Sequence, residues 1–587
     1  MKQFLITVAG VVVGGVLFCI LGFFVLGGII GAMASSGPVQ PSHMVLALDL
    51  REPMTDQRPT GPFAAFGGEP SLLETITRID AAREDDRVDG IFIRAATDGM
   101  AASQAEELRA ALAAFRAEGK FVVAHIQGDG ARMSMPGYMA VSGADELWIQ
   151  ENGAFLPMGL SAEVTFFADT LRRYHLQAQF DAREDYKTAA HEITQRNFTP
   201  QHREQVTGLL TSLYDVMAAN IAADREIPAD QVRGIIEGTP YMAARAIELK
   251  LVDRVGWPEQ AERAARERSE NENAEVVDFR EYRPPVRGGG DVIAVVQGEG
   301  AIVSGPEEHD IFSDEAVFNS DRVADALLEA ANDSAVKAIV FRVSSPGGSA
   351  VASDQVLAAL RTARESGKPI VVSMGEVAAS GGYYVATHAN EIIASPTTIT
   401  GSIGVISGKL IIGDALEHYL SAHTETVTVG SPMVEMYSAS RPFNQAERAM
   451  HNQHIDQLYS TFLGLVADGR QLPVDQVRAL AGGRVWTGQQ ALERRLVDHL
   501  GGFDVAVARA RALAGIAEDA RVQLRYFPAE ENPFKALEGL FGVSSESAQA
   551  LARLNAVVSD PRFVRAMEAM REEDGVARAE AGRMEVR

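Results

Sequence analysis

The sequence predicts an α/β protein, two tandem copies of one α/β unit behind a single N-terminal transmembrane helix. Three observations carry this reading. Short β-branched runs alternate with longer helical runs, a set of motifs recurs in the same order along the chain, and residues 4–34 contain no charge.

Leu, Ile, Val, Phe and Gly dominate residues 4–34. About 20 residues cross a bilayer, and this run exceeds the ~7–15-residue apolar stretch of a cleaved signal peptide, so residues 1–34 read as a membrane anchor. Ala32-Met33-Ala34 resembles a small-residue cleavage site and is the competing reading. Lys2, the only charge ahead of the span, is a positive-inside cue that leaves the bulk of the chain outside the cytoplasm. Gly10/Gly14 and Gly27/Gly31 have the spacing that lets helices approach closely. The only cysteine, Cys19, lies in this span, which excludes cysteine nucleophiles, thiolate metal sites and disulfides downstream.

Residues 35–70 read as a Pro/Gly-rich linker, 71–267 as the first repeat, 268–290 as a charged linker ending in PPVRGGG, and 291–527 as the second repeat. The tail, 528–587, has apolar residues at helical spacing and then a charged end. VDGIFIR from Val88 matches VKAIVFR from Val336, and Gly119-Lys120 matches Gly367-Lys368, both at an offset of 248. DQVR from Asp230 matches DQVR from Asp475, and AIELKLVD from Ala246 matches ALERRLVD from Ala491, both at an offset of 245. In the second half VIAVVQG, residues 321–331, AIVFRV, residues 353–364 and PIVVSM read as strand, helix, strand, helix, strand. That alternation implies βαβ units and a sheet covered on both faces.

With 587 residues, 46% apolar and 23% charged, the chain has the composition of a folded protein too long for one core. A formal net charge of −25 without a basic stripe excludes nucleic acid as a partner.

The chemistry gathers in residues 367–405. PIVVSM reads as a buried parallel strand, and Ser380-Gly381-Gly382 follows it at a turn into a helical run. A serine there has free backbone N–H groups beside it and the positive end of a helix dipole behind it, which suits an incipient oxyanion, although a capping serine shows the same local pattern. AIVFRV likewise runs into Ser344-Ser345-Pro346-Gly347-Gly348-Ser349, where paired glycines can aim N–H groups into a cleft. The two turns lie together at the carboxyl edge of the sheet, where open α/β sheets place their sites. Aligned on Tyr138 and Tyr384, the first half offers Ser134 followed by Met135-Pro136, without the paired-glycine turn, and reads as inactive.

A serine nucleophile needs a base. His388 falls two turns along the same helix and points elsewhere, and no Ser/His/Asp set can be placed. A buried lysine is the other option, because burial makes the neutral amine available. Of eight lysines, position in the chain leaves Lys187 and Lys409.

The strings SPGGS at 345–349, VAASGGYY at 377–384, TGSIGV at 400–405, VWTGQQA at 485–491, LVDHLGG at 496–502 and YKTA at 186–189 resemble the long, duplicated form of the signal peptide peptidase family, also called protease IV. The resemblance covers nearly the whole chain. It implies crotonase- or Clp-like α/β domains and a serine endopeptidase that degrades hydrophobic peptides such as cleaved signal peptides, with no metal or cofactor. It assigns Ser380 as nucleophile, Lys187 as general base and Ser402 as the group orienting the lysine, with the oxyanion hole formed by N–H groups of Gly381 and of Gly347 or Gly348. The position 245 after Lys187 is Pro432, so the site falls between halves. The resemblance also implies a homo-oligomer, a tetramer, contacting inner-membrane lipid of a bacterium with its catalytic domains on the periplasmic side. Glu376, and His191-Glu192-Ile193 after the lysine motif, depart from the family pattern. The rival readings are an acyl-thioester enzyme of the crotonase type and an inactive peptide-binding scaffold.

Overall fold

The computed structural model describes residues 40–57, 70–95, 98–127, 134–269, 271–285, 288–305 and 316–528. The anchor reading (1–34) lies outside the described residues, as does the tail beyond residue 528.

Each half is built on a parallel sheet. In the first the strand order is Arg254–Val255, Glu146–Ile149, Phe121–Ile126, Val88–Arg94, Met44–Asp49, Glu275–Asp278, parallel throughout. The second repeats it as His499–Leu500, Glu391–Ala394, Ile370–Ala379, Val336–Ser345, Asp291–Glu299, Val522–Phe527. Near-continuous apolar runs form these strands because helices cover both faces, and each half closes its own core. Two boundaries need correction. Met44–Asp49 is the second-edge strand of the first sheet although it sits in the stretch read as linker 35–70, and Glu275–Asp278 is the edge strand although it sits in the stretch read as linker 268–290. Pro, Gly and charged neighbours hid two short apolar runs whose partners are distant in sequence.

The recurring motifs have one structural job each. Lys120 Nζ caps the carbonyls of Ala82 and Asp85, and Lys368 Nζ those of Ala330, Ala331 and Asp333. Asp253 accepts from the Leu147 N–H and pairs with Arg225, as Asp498 accepts from Ile392 and pairs with Arg470. Tyr138 donates to the Leu251 carbonyl and Tyr383 to that of Leu496, both at 2.8 Å and both 113 residues from the acceptor. The equivalent tyrosines are therefore Tyr138 and Tyr383, not Tyr138 and Tyr384. This moves the register by one, so the residue equivalent to Ser380 is Met135 and the one equivalent to Gly381 is Pro136. Ser134 is only the N-cap of the helix Met135–Val141, its Oγ accepting from Gly137.

The halves are joined by an antiparallel ribbon in which Gln177–Ala182 pairs with Ile406–Ile411. A second link is the fully buried Arg342 guanidinium, which reaches from the second sheet to Asp56 (Nε–Oδ2, 2.9 Å) and Glu107 (Nη2–Oε1, 2.7 Å) of the first half. Glu106 accepts from the Thr397 N–H, and Glu107 from that of Phe503. The helix Pro200–Asp224 has the length and composition of a membrane-crossing helix, but Met217 and Ile221 on it pack in the first core and Ser212 bonds Thr487 of the second half.

Candidate active site

Ser380 ends the strand Ile370–Ala379 at φ 55° and ψ −117°, a left-handed conformation that costs a non-glycine residue about 1–3 kcal/mol. Two backbone bonds hold it there. Its N–H donates to the Gly401 carbonyl, and its own carbonyl accepts from Tyr384, each at 2.9 Å. The turn lifts the hydroxyl off the sheet edge, and the side chain is half-buried.

The SPGGS turn lies against it. A Cβ on Gly347 would stand 2.6 Å from the Gly381 nitrogen and 2.8 Å from Ser380 Cβ, so only glycine admits this approach. A Cβ on Gly381 would fall 3.2 Å from the Gly348 nitrogen, which places the Gly348 and Gly381 amides side by side. Neither amide N–H has an acceptor among the described residues, whereas the Gly347 N–H is taken by Ser345 Oγ at 3.1 Å. Two unspent donors next to a hydroxyl can hold a negative oxygen. Of the two alternatives left open by the sequence, the free donor is that of Gly348.

Lys187 comes from the first half, five residues beyond the inter-half ribbon. Its Nζ lies 3.0 Å from Ser380 Oγ, 2.9 Å from Ser402 Oγ and 3.1 Å from the Ser402 carbonyl. The side chain is buried, no carboxylate compensates it, and desolvation alone lowers its pKa to about 8. An amine so tuned can accept a proton from a neighbouring hydroxyl near neutral pH. Ser402 is itself held at φ 52°, its N–H donating to the Arg484 carbonyl at 2.8 Å.

Three glycines escaped the sequence reading. A Cβ on Gly483 would come within 2.4 Å of Lys187 Cβ and 2.6 Å of its nitrogen, and Gly404 faces the lysine Cδ at 3.3 Å. Gly482 accepts from the Tyr186 N–H. The signal was available in the repeat, since the first half has Glu237-Gly238 where the second has Gly482-Gly483.

The other candidate bases lie elsewhere. Lys409 is in the ribbon and spends its amine on the Met436 and Ser438 carbonyls, both at 2.9 Å, above the Phe443 ring, which removes it as an alternative base. His388 bonds Thr387 and Asp468, pointing away from the site as read from its spacing.

Comparison with known proteins adds an independent line. The family described as Peptidase family S49 matches residues 114–272 and 362–517. A protein named Protease 4 from Salmonella typhi is 32% identical over 77% of this chain and 73% of its own length. Protease 4 from Haemophilus influenzae is 28% identical over 77% and 74%, and a chloroplastic serine protease SPPA from Arabidopsis thaliana 26% identical over 82% and 70%. A solved chain of a ClpP1 mutant from Listeria monocytogenes covers 36% of this chain and 94% of its own at 12% identity and a TM-score of 0.24, too low a likeness to bear on the fold.

Proposed function

The chain belongs to peptidase family S49 and is a serine-type peptidase, and on that premise we propose that it is a membrane-anchored endopeptidase cutting hydrophobic peptides, cleaved signal peptides among them, with a Ser380/Lys187 dyad. The observation that supports this best is the 3.0 Å contact between a buried amine, its pKa lowered to about 8, and the strained serine beside two free amides. The neutral amine gives its two N–H bonds to the Ser402 carbonyl and Oγ, and its lone pair then faces the Ser380 hydroxyl. Ser380 Oγ bonds to the peptide carbonyl carbon as its proton passes to Lys187 Nζ. The resulting oxyanion sits on the Gly348 and Gly381 N–H groups, and collapse of the tetrahedral species expels the amine, which takes the proton back from Lys187. Water repeats the sequence and releases the acyl group. No step calls for a metal or cofactor.

The crotonase- or Clp-like nature of the halves, the inner-membrane location and the periplasmic placement rest on the family resemblance and on the charge-free run 4–34. Self-association has a further support in the repeat. The ribbon strands Gln177–Ala182 and Ile406–Ile411 have equivalents at 422–427 and 161–166; neither equivalent pairs in a sheet among the described residues, and 422–427 is exposed, Val427 at 94%. A second copy can pair its 161–166 with 422–427 of the first by the same antiparallel geometry, head to tail, until a ring such as a tetramer closes.

The test is hydrolysis of a fluorogenic apolar peptide by the detergent-solubilised full chain. Turnover is expected from wild type and Lys409→Ala, and none from Ser380→Ala or Lys187→Ala. An inert wild type would make the chain a peptide-binding scaffold.

A further inference from the structure

The strand that delivers the nucleophile is not regular. Val343 pairs with Met374 and Ser345 with Ala378, so two steps of the neighbouring strand are matched by four of this one. The surplus of two residues falls within Gly375 to Val377, a bulge that ends three residues before Ser380. Met374 and Ala378 are fully buried, and in a regular strand Glu376, midway between them, would point into the same core. The bulge turns it outward instead, so that it is exposed at the carboxyl edge of the sheet, four residues before Ser380.

Glu376 has no hydrogen-bond or ion-pair partner among the described residues. Its neighbour Gly375 abuts Ser344 and Asp56, a Cβ there lying 2.9 Å from Ser344 Oγ and 3.1 Å from Asp56 Oδ1. Partial burial in this recess raises the carboxyl above its ordinary range, and the Asp56 carboxylate adds to the effect. Asp56 is already committed to Arg342. Glu376 is thus a solvent-facing carboxylate with no protein cation beside it, which a cationic ligand group can pair.

We infer that Glu376 is a specificity-determining residue, recognising a lysine or arginine side chain of the substrate peptide close to the scissile bond. The inference rests on the peptidase reading and deepens it: the preferred substrate is an apolar peptide carrying one basic residue in this flank. A basic side chain laid along the bulge meets a carboxylate with no competing partner, and an acidic one is repelled by Glu376.

The test uses apolar fluorogenic peptides with a single Lys moved through the three positions on each side of the cleaved bond, each matched to a peptide with Gln in its place. Wild type is expected to favour Lys over Gln in kcat/KM by about fivefold at one position, the size of one partly exposed charge pair. In Glu376→Gln the ratio falls to about one, and in Glu376→Lys it falls below one. A Lys/Gln ratio that is the same in wild type and Glu376→Gln at every position overturns the assignment and leaves the peptidase reading standing. A wild type inert toward every peptide overturns that reading and this one with it.

Discussion

The two halves share one topology and the same capping lysine, Asp/Arg pair and buried tyrosine, yet only one carries the serine proposed as nucleophile. Where the second half has Ser380-Gly381-Gly382 the first has Met135-Pro136-Gly137, and where the first has Lys187 the second has Pro432. Each half has kept what the other lost. The seam inside the chain therefore holds a complete set, whereas the equivalent seam, formed by 161–166 and 422–427 of different copies, would bring together a methionine and a proline. Duplication frees one of two equivalent sites from chemistry, and what persists in both copies is what the fold itself requires.

The comparison breaks most sharply at the dyad. Ser380→Ala and Lys187→Ala are each expected to lower kcat/KM by about 10⁴-fold, and the double variant no further, since the two groups act in one step. A double variant much worse than either single would separate them. A smaller effect tests the lysine's seat. Gly483→Ala puts a Cβ into the Lys187 backbone at φ 81° and should cost about 10²-fold in kcat, while the equivalent Gly238→Ala meets the movable end of Tyr241 and, at 3.3 Å, the Gly234 carbonyl, far from the site, and should change turnover less than about threefold.

Acidity sharpens the same contrast. The folded-state pKa of Lys187, about 8, lies below its ordinary 10.5, so kcat/KM rises with pH through an inflection near 8 as the neutral amine forms. The stability effect has the opposite beneficiary. Below pH 8 the wild type must hold a buried charge that the unfolded chain solvates freely, a cost of about 3 kcal/mol that disappears between pH 8 and 10.5. Lys187→Met is expected to be inactive but more stable than wild type at pH 7, with the advantage gone near pH 10.5. Denaturant melts at the two pH values check it.

The between-copy seam is probed by Val427→Asp with Val429→Asp, both positions more than 90% exposed in one chain. Sedimentation should show a shift to the monomer, with peptidase activity within about threefold because the intrachain seam is untouched. The smallest effect comes last. Met135→Ser with Pro136→Gly, placed in Ser380→Ala, should restore no activity, because position 432 supplies no amine.

Much of this was legible in the residues. Period and alternation identify the strands, two offsets reveal the duplication, and the strings around Ser380 and Lys187 carry the resemblance because local turns need particular glycines. The strands Met44–Asp49 and Glu275–Asp278 were not legible, being short and framed by linker-like residues, nor was the one-residue register that replaces Ser134 with Met135 opposite Ser380.

By itself the sequence determined the α/β alternation, the repeat, the serine turn and a pair of lysines eligible as base, all of which are properties of short segments. Only the tertiary structure spent the amine of Lys409 elsewhere and so left Lys187, which the resemblance had assigned, set the free donor at Gly348 rather than Gly347, and turned Glu376 out of the core. Each of those choices depends on which groups two distant segments leave unpaired after they pack, and burial and hydrogen-bond competition are settled in three dimensions.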